Sequence, residues 1–288
     1  MLLLMPPRDR CPSLPTPSPE DYWLYRYPPL LAGVLIKRYK RFFAEIALDT
    51  GEVITAHCPN TGPMTGIYRP GNRVYVSHHT DPRRKLPYTW EMIAVPHADP
   101  SVTGTTWVGV NTALPNRVIK LALEHRLLPS LAPYATIAAE VPYGPDRRSR
   151  VDFLLTPAAG ADPGADPRAD DTPLASRSDR PCYVEVKNTT WTQGPLALFP
   201  DTVTTRGQKH LHDLQALLPA ARAVMLYFIN RDDCPRFAPG DRADPTYGAL
   251  LRSAIAAGLT VLPCRFQVSP EGIRYAGLAE FLPQQPDP

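Results

Sequence analysis

The sequence predicts a two-domain protein of mixed class (α+β/α/β), an N-terminal OB-like β-barrel followed by an αβββαβ domain. Three observations carry this. Short β-like segments with no helix of note fill residues 34–95. A helix, three strands, a helix and a strand follow between residues 114 and 266. Two of those later strands each hold an acid inside an otherwise apolar run, Asp152 and Glu185. A chain of 288 residues is long enough for two such cores.

Residues 1–20 are proline-rich without periodicity and read as a disordered leader. Segments 34–38, 41–48, 53–57, 73–77 and 89–95 read as strands separated by Gly, Pro, Asn and Asp. Asp49-Thr50-Gly51 supplies a hairpin turn. Five short strands predict a small barrel over residues 21–104. The second domain spans 105–288. Residues 114–128 carry apolar side chains at helical spacing; 136–141, 150–155 and 182–187 are strands. A helix over 205–218 presents Leu211, Leu214, Leu217 and Leu218 on one face. The continuous apolar run 223–229 is a buried strand, followed by a helix over 247–257 and a strand over 260–266. Residues 157–180 hold almost no large apolar side chain and read as a disordered insertion at a hairpin tip.

The chemistry lies on segments 149–155 and 182–188. Alternation puts Glu185 and Lys187 on one face of their strand, with Val184 and Val186 on the other. If the two segments pair as a hairpin, Asp152 joins that face. Acids in apolar strands cost desolvation unless a partner or a metal meets them. Two carboxylates suit Mg²⁺ or Mn²⁺, so Asp152 and Glu185 are the metal candidates. Lys187 completes the catalytic set by orienting water or phosphate. An isolated ExK triplet on a strand is most often only a solvated, self-paired face; the apolar flanks argue otherwise here. Gln208, Lys209 and His210 open the next helix, whose N-terminus favours anions. Gln208 is assigned to orienting the strand to be cut, and Lys209 to a phosphate.

The net charge is only +3, so its placement matters more than its size. Lys37-Arg38-Tyr39-Lys40-Arg41 is a basic cluster around an aromatic ring. Arg84 and Lys85 belong to a second cluster, and Arg150 ends a third. Any one such run is most often only a solvated face; together they suit a nucleic-acid backbone gripped largely independently of sequence, with DNA the expected partner once the resemblance below is added. Tyr39 is the candidate base-stacking ring, and Phe43 a core residue. Five scattered cysteines without a CxxC pair fit a reducing cytoplasm, and no run is long enough for a membrane span. The spacing of His57-Cys58 and of His210 and His212 does not make a zinc site. A homodimer is left open.

The αβββαβ order with Asp152, Glu185 and Lys187 resembles the PD-(D/E)xK nuclease-like domain. Longer motifs are Leu35 to Phe42, His57-Cys58-Pro59-Asn60-Thr61-Gly62-Pro63-Met64, Tyr88-Thr89-Trp90-Glu91, Val110-Asn111-Thr112, Ser149 to Leu155, Cys182 to Asn188, and Phe199-Pro200-Asp201 through Leu211. In this order they resemble the SfsA (sugar fermentation stimulation protein) family from about Leu30 to the C-terminus, the 157–180 insertion excepted. The resemblance implies an OB domain, a nuclease-like domain and DNA binding. Two positions depart from the family pattern. Leu121 stands where family members carry an acid on the first helix of the nuclease-like domain; Glu124, one turn later, is weighed as its substitute against the commoner reading of a solvated helix residue. Glu140-Val141-Pro142-Tyr143-Gly144 replaces Glu-Val-Lys-Tyr-Gly. Three functions follow as expectations: a metal-dependent phosphodiesterase, a non-catalytic DNA-binding regulator of sugar metabolism genes that keeps the fold, and, least supported, an enzyme of sugar metabolism.

Overall fold

The computed structural model describes residues 23–144, 149–157, 180–218 and 220–286. The expected leader, and the expected insertion apart from Pro157 and Arg180, lie outside the described residues.

The first strand, β1 (Tyr25–Arg26), is followed by β2 (Leu30–Tyr39), β3 (Phe43–Leu48), β4 (Val53–His57), β5 (Arg73–His78), β6 (Tyr88–Pro96) and β7 (Thr105–Gly109). Strands β2 to β7 form one sheet in the order β4-β3-β2-β5-β6-β7, and β4 also pairs with β6. Five strands therefore close a barrel, and β7 extends it from β6. Period-two burial explains the closure: Ala44, Ile46 and Leu48 of β3 turn inward with Ile54 and Ala56 of β4, Val74 and Val76 of β5, and Trp90 of β6. Two elements cross the expected division at residue 104. Strand β7 belongs to the barrel sheet, and β1 pairs with the second domain. Neither strand is among those expected from the sequence, and composition does not report which sheet a strand joins.

Helix α1 (Leu114–Glu124) leads into β8 (Thr136–Tyr143), β9 (Ser149–Thr156) and β10 (Cys182–Thr189). After the short strands β11 (Thr192–Gln193) and β12 (Leu196–Phe199) come α2 (Thr205–Leu217), β13 (Arg222–Ile229), β14 (Arg236–Pro239), α3 (Pro245–Ala256), β15 (Thr260–Ser269), β16 (Gly272–Leu278) and β17 (Glu280–Phe281). The main sheet has the order β1-β16-β15-β13-β10-β9-β8, with β10, β13 and β15 parallel. Every residue of β13 is buried, as befits a central strand covered on both faces. Val224, Leu226 and Phe228 pack under α1, while Met225, Tyr227 and Ile229 meet α2 and α3. A small sheet, β11-β12-β14-β17, flanks this body.

The two bodies meet where β7 ends. Gly109 N–H donates to Asn230 O at 3.0 Å, and Asn230 Nδ2 donates back to Gly109 O at 3.2 Å. A Cβ on Gly109 would lie 2.1 Å from Asn230 Oδ1, so this close approach requires glycine.

Candidate active site

Strands β9 and β10 are antiparallel, with Val184 opposite Phe153 and Tyr183 opposite Leu154. One step further along that register brings Asp152 level with Glu185, and Val184 and Val186 turn into the core under α1. Here the backbone ladder gives way to a side chain: Val186 N–H donates to Asp152 Oδ2 at 2.7 Å. Asn116, in the first turn of α1, donates from Nδ2 to Asp152 Oδ1 at 2.6 Å. Lys187 Nζ donates to Glu185 Oε1 at 2.8 Å. His210 on α2 meets the same oxygen through Nδ1; its Nε2 accepts from Arg206 at 3.4 Å, which assigns the proton to Nδ1. Lys187 Nζ also lies 3.0 Å from His210 Nδ1.

The two carboxyls are electrostatically unlike. Burial, then the Glu185 charge, push Asp152 above the usual carboxylate range, against the Val186 and Asn116 hydrogen bonds. Burial also pushes Glu185 upward, but the His210 hydrogen bond and the Lys187 charge outweigh it and hold Glu185 low. Its second oxygen, Oε2, is buried and has no partner among the described residues. An orphaned carboxylate oxygen beside a second carboxylate fits a hard divalent cation. A cleft of about 450 Å³ opens over the group, lined also by Thr112, Asn188 and Glu140.

Of the residues expected at this site, Asp152, Glu185 and Lys187 come together. Gln208 does not. Its amide donates to both oxygens of Asp244 at 3.0 Å, and Asp244 caps α3. Two residues along a helix put Gln208 well round from His210, so one faces the cleft and the other faces α3. Glu124 pairs with Lys120 at 3.8 Å, both half-exposed, two turns along α1 from the Asn116 that meets Asp152. Helix α1 thus contributes Asn116 where an acid was sought. Lys209 pairs with Asp213 at 2.6 Å beside Ser149. Arg150 is exposed on β9.

Sequence reasoning missed Asn116 and Glu140 as site residues, and singled out His210 without deciding its side. Glu140 stands in the Glu140–Gly144 motif, but only the strand register brings it to the site. The pairs Ala139–Phe153 and Val141–Val151 bracket it, so it lies level with Asp152. Its φ of 54° is rare for a non-glycine residue inside a strand.

The basic cluster on the barrel divides by role. The Arg38 guanidinium donates to the carbonyls of Arg41, Asn60 and Gly62 at 3.1, 2.8 and 2.9 Å, bracing the 58–62 loop. Lys37 pairs with Glu45 at 3.2 Å. Lys40 and Arg41 occupy left-handed backbone at the β2–β3 turn, and both are exposed. Tyr39, expected to be free for stacking, lies against Phe43 with ring centroids 5.4 Å apart. The ring turned to solvent is Phe42, 49 % exposed. It lines a hollow of about 310 Å³ with Phe43, His57, Arg84, Lys85 and Leu86. Arg84 is held by Thr89 Oγ1 at 2.7 Å. Arg38→Ala is therefore expected to cost about 1–2 kcal/mol of stability, because three carbonyls lose a shared donor. Arg41→Ala should leave the melting temperature within about a degree, since exposed substitutions change stability little. Thermal melts of both variants check this contrast.

Comparison with known proteins settles the kinship. Residues 36–110 match the SfsA N-terminal OB domain, and residues 113–272 match the sugar fermentation stimulation protein RE domain. The chain belongs to the sugar fermentation stimulation protein family. A homolog from Cyanothece sp. is 62 % identical over 261 residues, covering 90 % of this chain and 98 % of its own. One from Synechococcus elongatus is 62 % identical over 256 residues, covering 89 % and 97 %. The solved structure of Pyrococcus furiosus SfsA in complex with Ca²⁺ superposes with a TM-score of 0.72 at 23 % identity, over 91 % of this chain and 99 % of that one. The expected family and two-domain architecture, OB barrel and nuclease-like domain, both stand. Among the described residues no helix is long and apolar enough to cross a membrane.

Proposed function

We propose that the chain grips DNA largely independently of sequence and hydrolyses phosphodiester bonds at Asp152, Glu185 and Lys187. The observation that carries this is the buried, unpartnered Glu185 Oε2 beside Asp152, with the Lys187 ammonium on the neighbouring oxygen. A Mg²⁺ or Mn²⁺ ion held by Asp152 and Glu185 would neutralise charge at the phosphate and lower the pKa of an attacking water. The Ca²⁺ described for the Pyrococcus furiosus protein supports a hard divalent ion in this family. Among the described residues no three His, Cys, Asp or Glu side chains form a closed cage. Two protein carboxylates leave the remaining positions for water and substrate oxygens, as magnesium favours.

Lys187 has a fixed place in this chemistry. Its side chain is 13 % exposed and its ammonium is anchored on Glu185, so it reaches the cleft as a positioned donor to a phosphate oxygen or to water. His210 holds Glu185 Oε1 from the other side and keeps that carboxyl ionised. The P–O bond broken releases an oxygen that takes a proton from solvent at the open mouth of the cleft.

Grip comes from the barrel. Arg84 and Lys85 line the Phe42 hollow, Lys40 and Arg41 are exposed on the turn just before Phe42, and Lys37, Arg150 and Lys209 are further cations. Combined Lys40→Ala, Arg41→Ala and Lys85→Ala should weaken binding to all sequences alike. The slope of log affinity against log salt should fall by about 0.9 for each duplex phosphate that the variant no longer neutralises. A salt titration of both proteins measures it, and a flat wild-type titration would rule out an electrostatic grip. The described cysteines are buried and free, as suits a reducing cytoplasm.

Incubating DNA with the protein in Mg²⁺, Mn²⁺ or EDTA tests the hydrolysis. Cutting is expected with either metal and absent in EDTA. No cutting, with no metal-dependent stabilisation, would leave a non-catalytic DNA-binding regulator. One observation favours that second reading: α1 offers Asp152 an amide, Asn116, and not a third carboxylate.

A further inference from the structure

A second cavity, of about 140 Å³, adjoins the carboxylate cleft. Thr112 and Asn188 line both. The barrel contributes the 58–62 loop that Arg38 braces, so one wall is rigid. The residues just beyond β10 and those around Phe199 complete it.

Its polar groups are under-used. Thr189 is 1 % exposed, and its hydroxyl has no partner among the described residues. Asn60 and Asn188 each accept through Oδ1, from Gly62 N–H and from Asn230 Nδ2. Among the described residues their amide nitrogens make no hydrogen bond. Asp201 lines the same space with no cation paired to it among the described residues, and burial holds its carboxyl above the usual range. Trp191, Leu198 and Phe199 supply apolar walls.

This combination selects among ligands. A carboxylate facing the cavity repels a phosphate. Orphaned donors and acceptors reject a purely apolar group. A flat heterocycle with polar edges satisfies both, and the shared wall joins it to a cleft built for a phosphodiester.

We infer that this cavity takes one unpaired nucleobase, its exocyclic amino group on Asp201 and its phosphate in the adjoining cleft. A base still paired in duplex cannot enter, so single strands or extruded nucleotides are the substrate class. An amino group for Asp201 favours cytosine over thymine, because a carboxylate accepts from N4 of cytosine and finds only a carbonyl on thymine. The inference rests on the DNA reading for its phosphate.

The test is equilibrium binding of labelled oligo(dC) and oligo(dT) of equal length to the full chain in Ca²⁺, with strand integrity checked on gels. Wild type should prefer oligo(dC) about fivefold, the worth of one hydrogen bond. Asp201→Ala, which removes the acceptor for N4, should erase that preference while oligo(dT) affinity does not fall. Thr189→Val keeps the shape and removes the orphaned hydroxyl. It should weaken oligo(dC) binding about fivefold while the melting temperature stays level or rises. Equal wild-type affinities for the two strands, or both variants binding oligo(dC) as wild type does, overturn the inference. DNA binding without base preference defeats this pocket alone. Binding with preference but no cleavage in Mg²⁺ or Mn²⁺ defeats hydrolysis alone.

Discussion

Asp152→Asn should abolish metal-dependent cleavage, by about a thousandfold or more, while making the metal-free protein more stable at neutral pH. The loss follows from removing one of two carboxylates that would hold the ion, a contribution of several kcal/mol to a phosphoryl transition state. The gain follows from electrostatics. Asp152 titrates above the usual range because it is buried beside the Glu185 charge. The folded state therefore keeps the proton to higher pH than the unfolded chain does. Stability contributed by this group falls as pH rises from the ordinary aspartate value through the raised one, and stays low above it. Asparagine carries no charge and avoids that penalty. Glu185 has the opposite sign: held low, it stabilises the fold at neutral pH and loses that contribution as pH falls through its depressed value. Mg²⁺ or Mn²⁺ should raise the wild-type melting temperature, by about 2.7 kcal/mol of stability at a hundred times Kd. The rise should vanish in Asp152→Asn and persist in Lys187→Ala, which should bind metal without cutting. An Asp152→Asn protein still stabilised by Mn²⁺ as strongly as wild type would show that the ion sits elsewhere.

The strand-borne part of this site was legible because strands have a period of two. Glu185 and Lys187 had to share a face, and a hairpin pairing of the two segments, once assumed, brings Asp152 to them. The helix-borne part was not legible to the same degree. His210 and Asn116 reach the site only through the way α2 and α1 pack on the sheet, and neither has a sequence signal for that packing. Gln208 shows the limit from the other side. A helical start after the site strand suggested a cleft residue, but Asp244 sits 36 positions later in the chain and captures its amide. The barrel cluster fails locally. Left-handed backbone at Lys40 and Arg41 turns the hairpin so that Tyr39 lies on Phe43 and Phe42 faces outward. Strand β7 is not among the strands expected from the sequence, and its pairing with β6 is set by the fold and not by local propensity.

Asp233→Ala should cost about 3–5 kcal/mol of stability, well beyond the loss expected for Arg38→Ala. Arg231 and Asp233 form a bidentate pair, Nε to Oδ1 at 2.6 Å and Nη2 to Oδ2 at 2.7 Å. Their side chains are 4 % and 0 % exposed. Removing the acid leaves a guanidinium buried without its counter-charge, and arginine cannot escape by deprotonating. The same carboxylate accepts Ala98 N–H from the barrel side at 2.7 Å. Beside it, Thr106 of β7 donates to Asp232 at 2.9 Å. The substitution therefore strikes the joint between the two bodies as well as a core. A fall in melting temperature of roughly 6–20 °C is expected for a chain of this size. Arg231→Met combined with Asp233→Leu should recover much of it, because an apolar pair of similar volume carries no buried charge. Asp233→Asn separates the two roles. It keeps an acceptor for Ala98 and loses the charge, so a cost near that of alanine assigns the effect to Arg231, and a small cost assigns it to the joint. A melting temperature of Asp233→Ala within a degree of wild type would mean that water reaches this pair and solvates Arg231 in place of the acid.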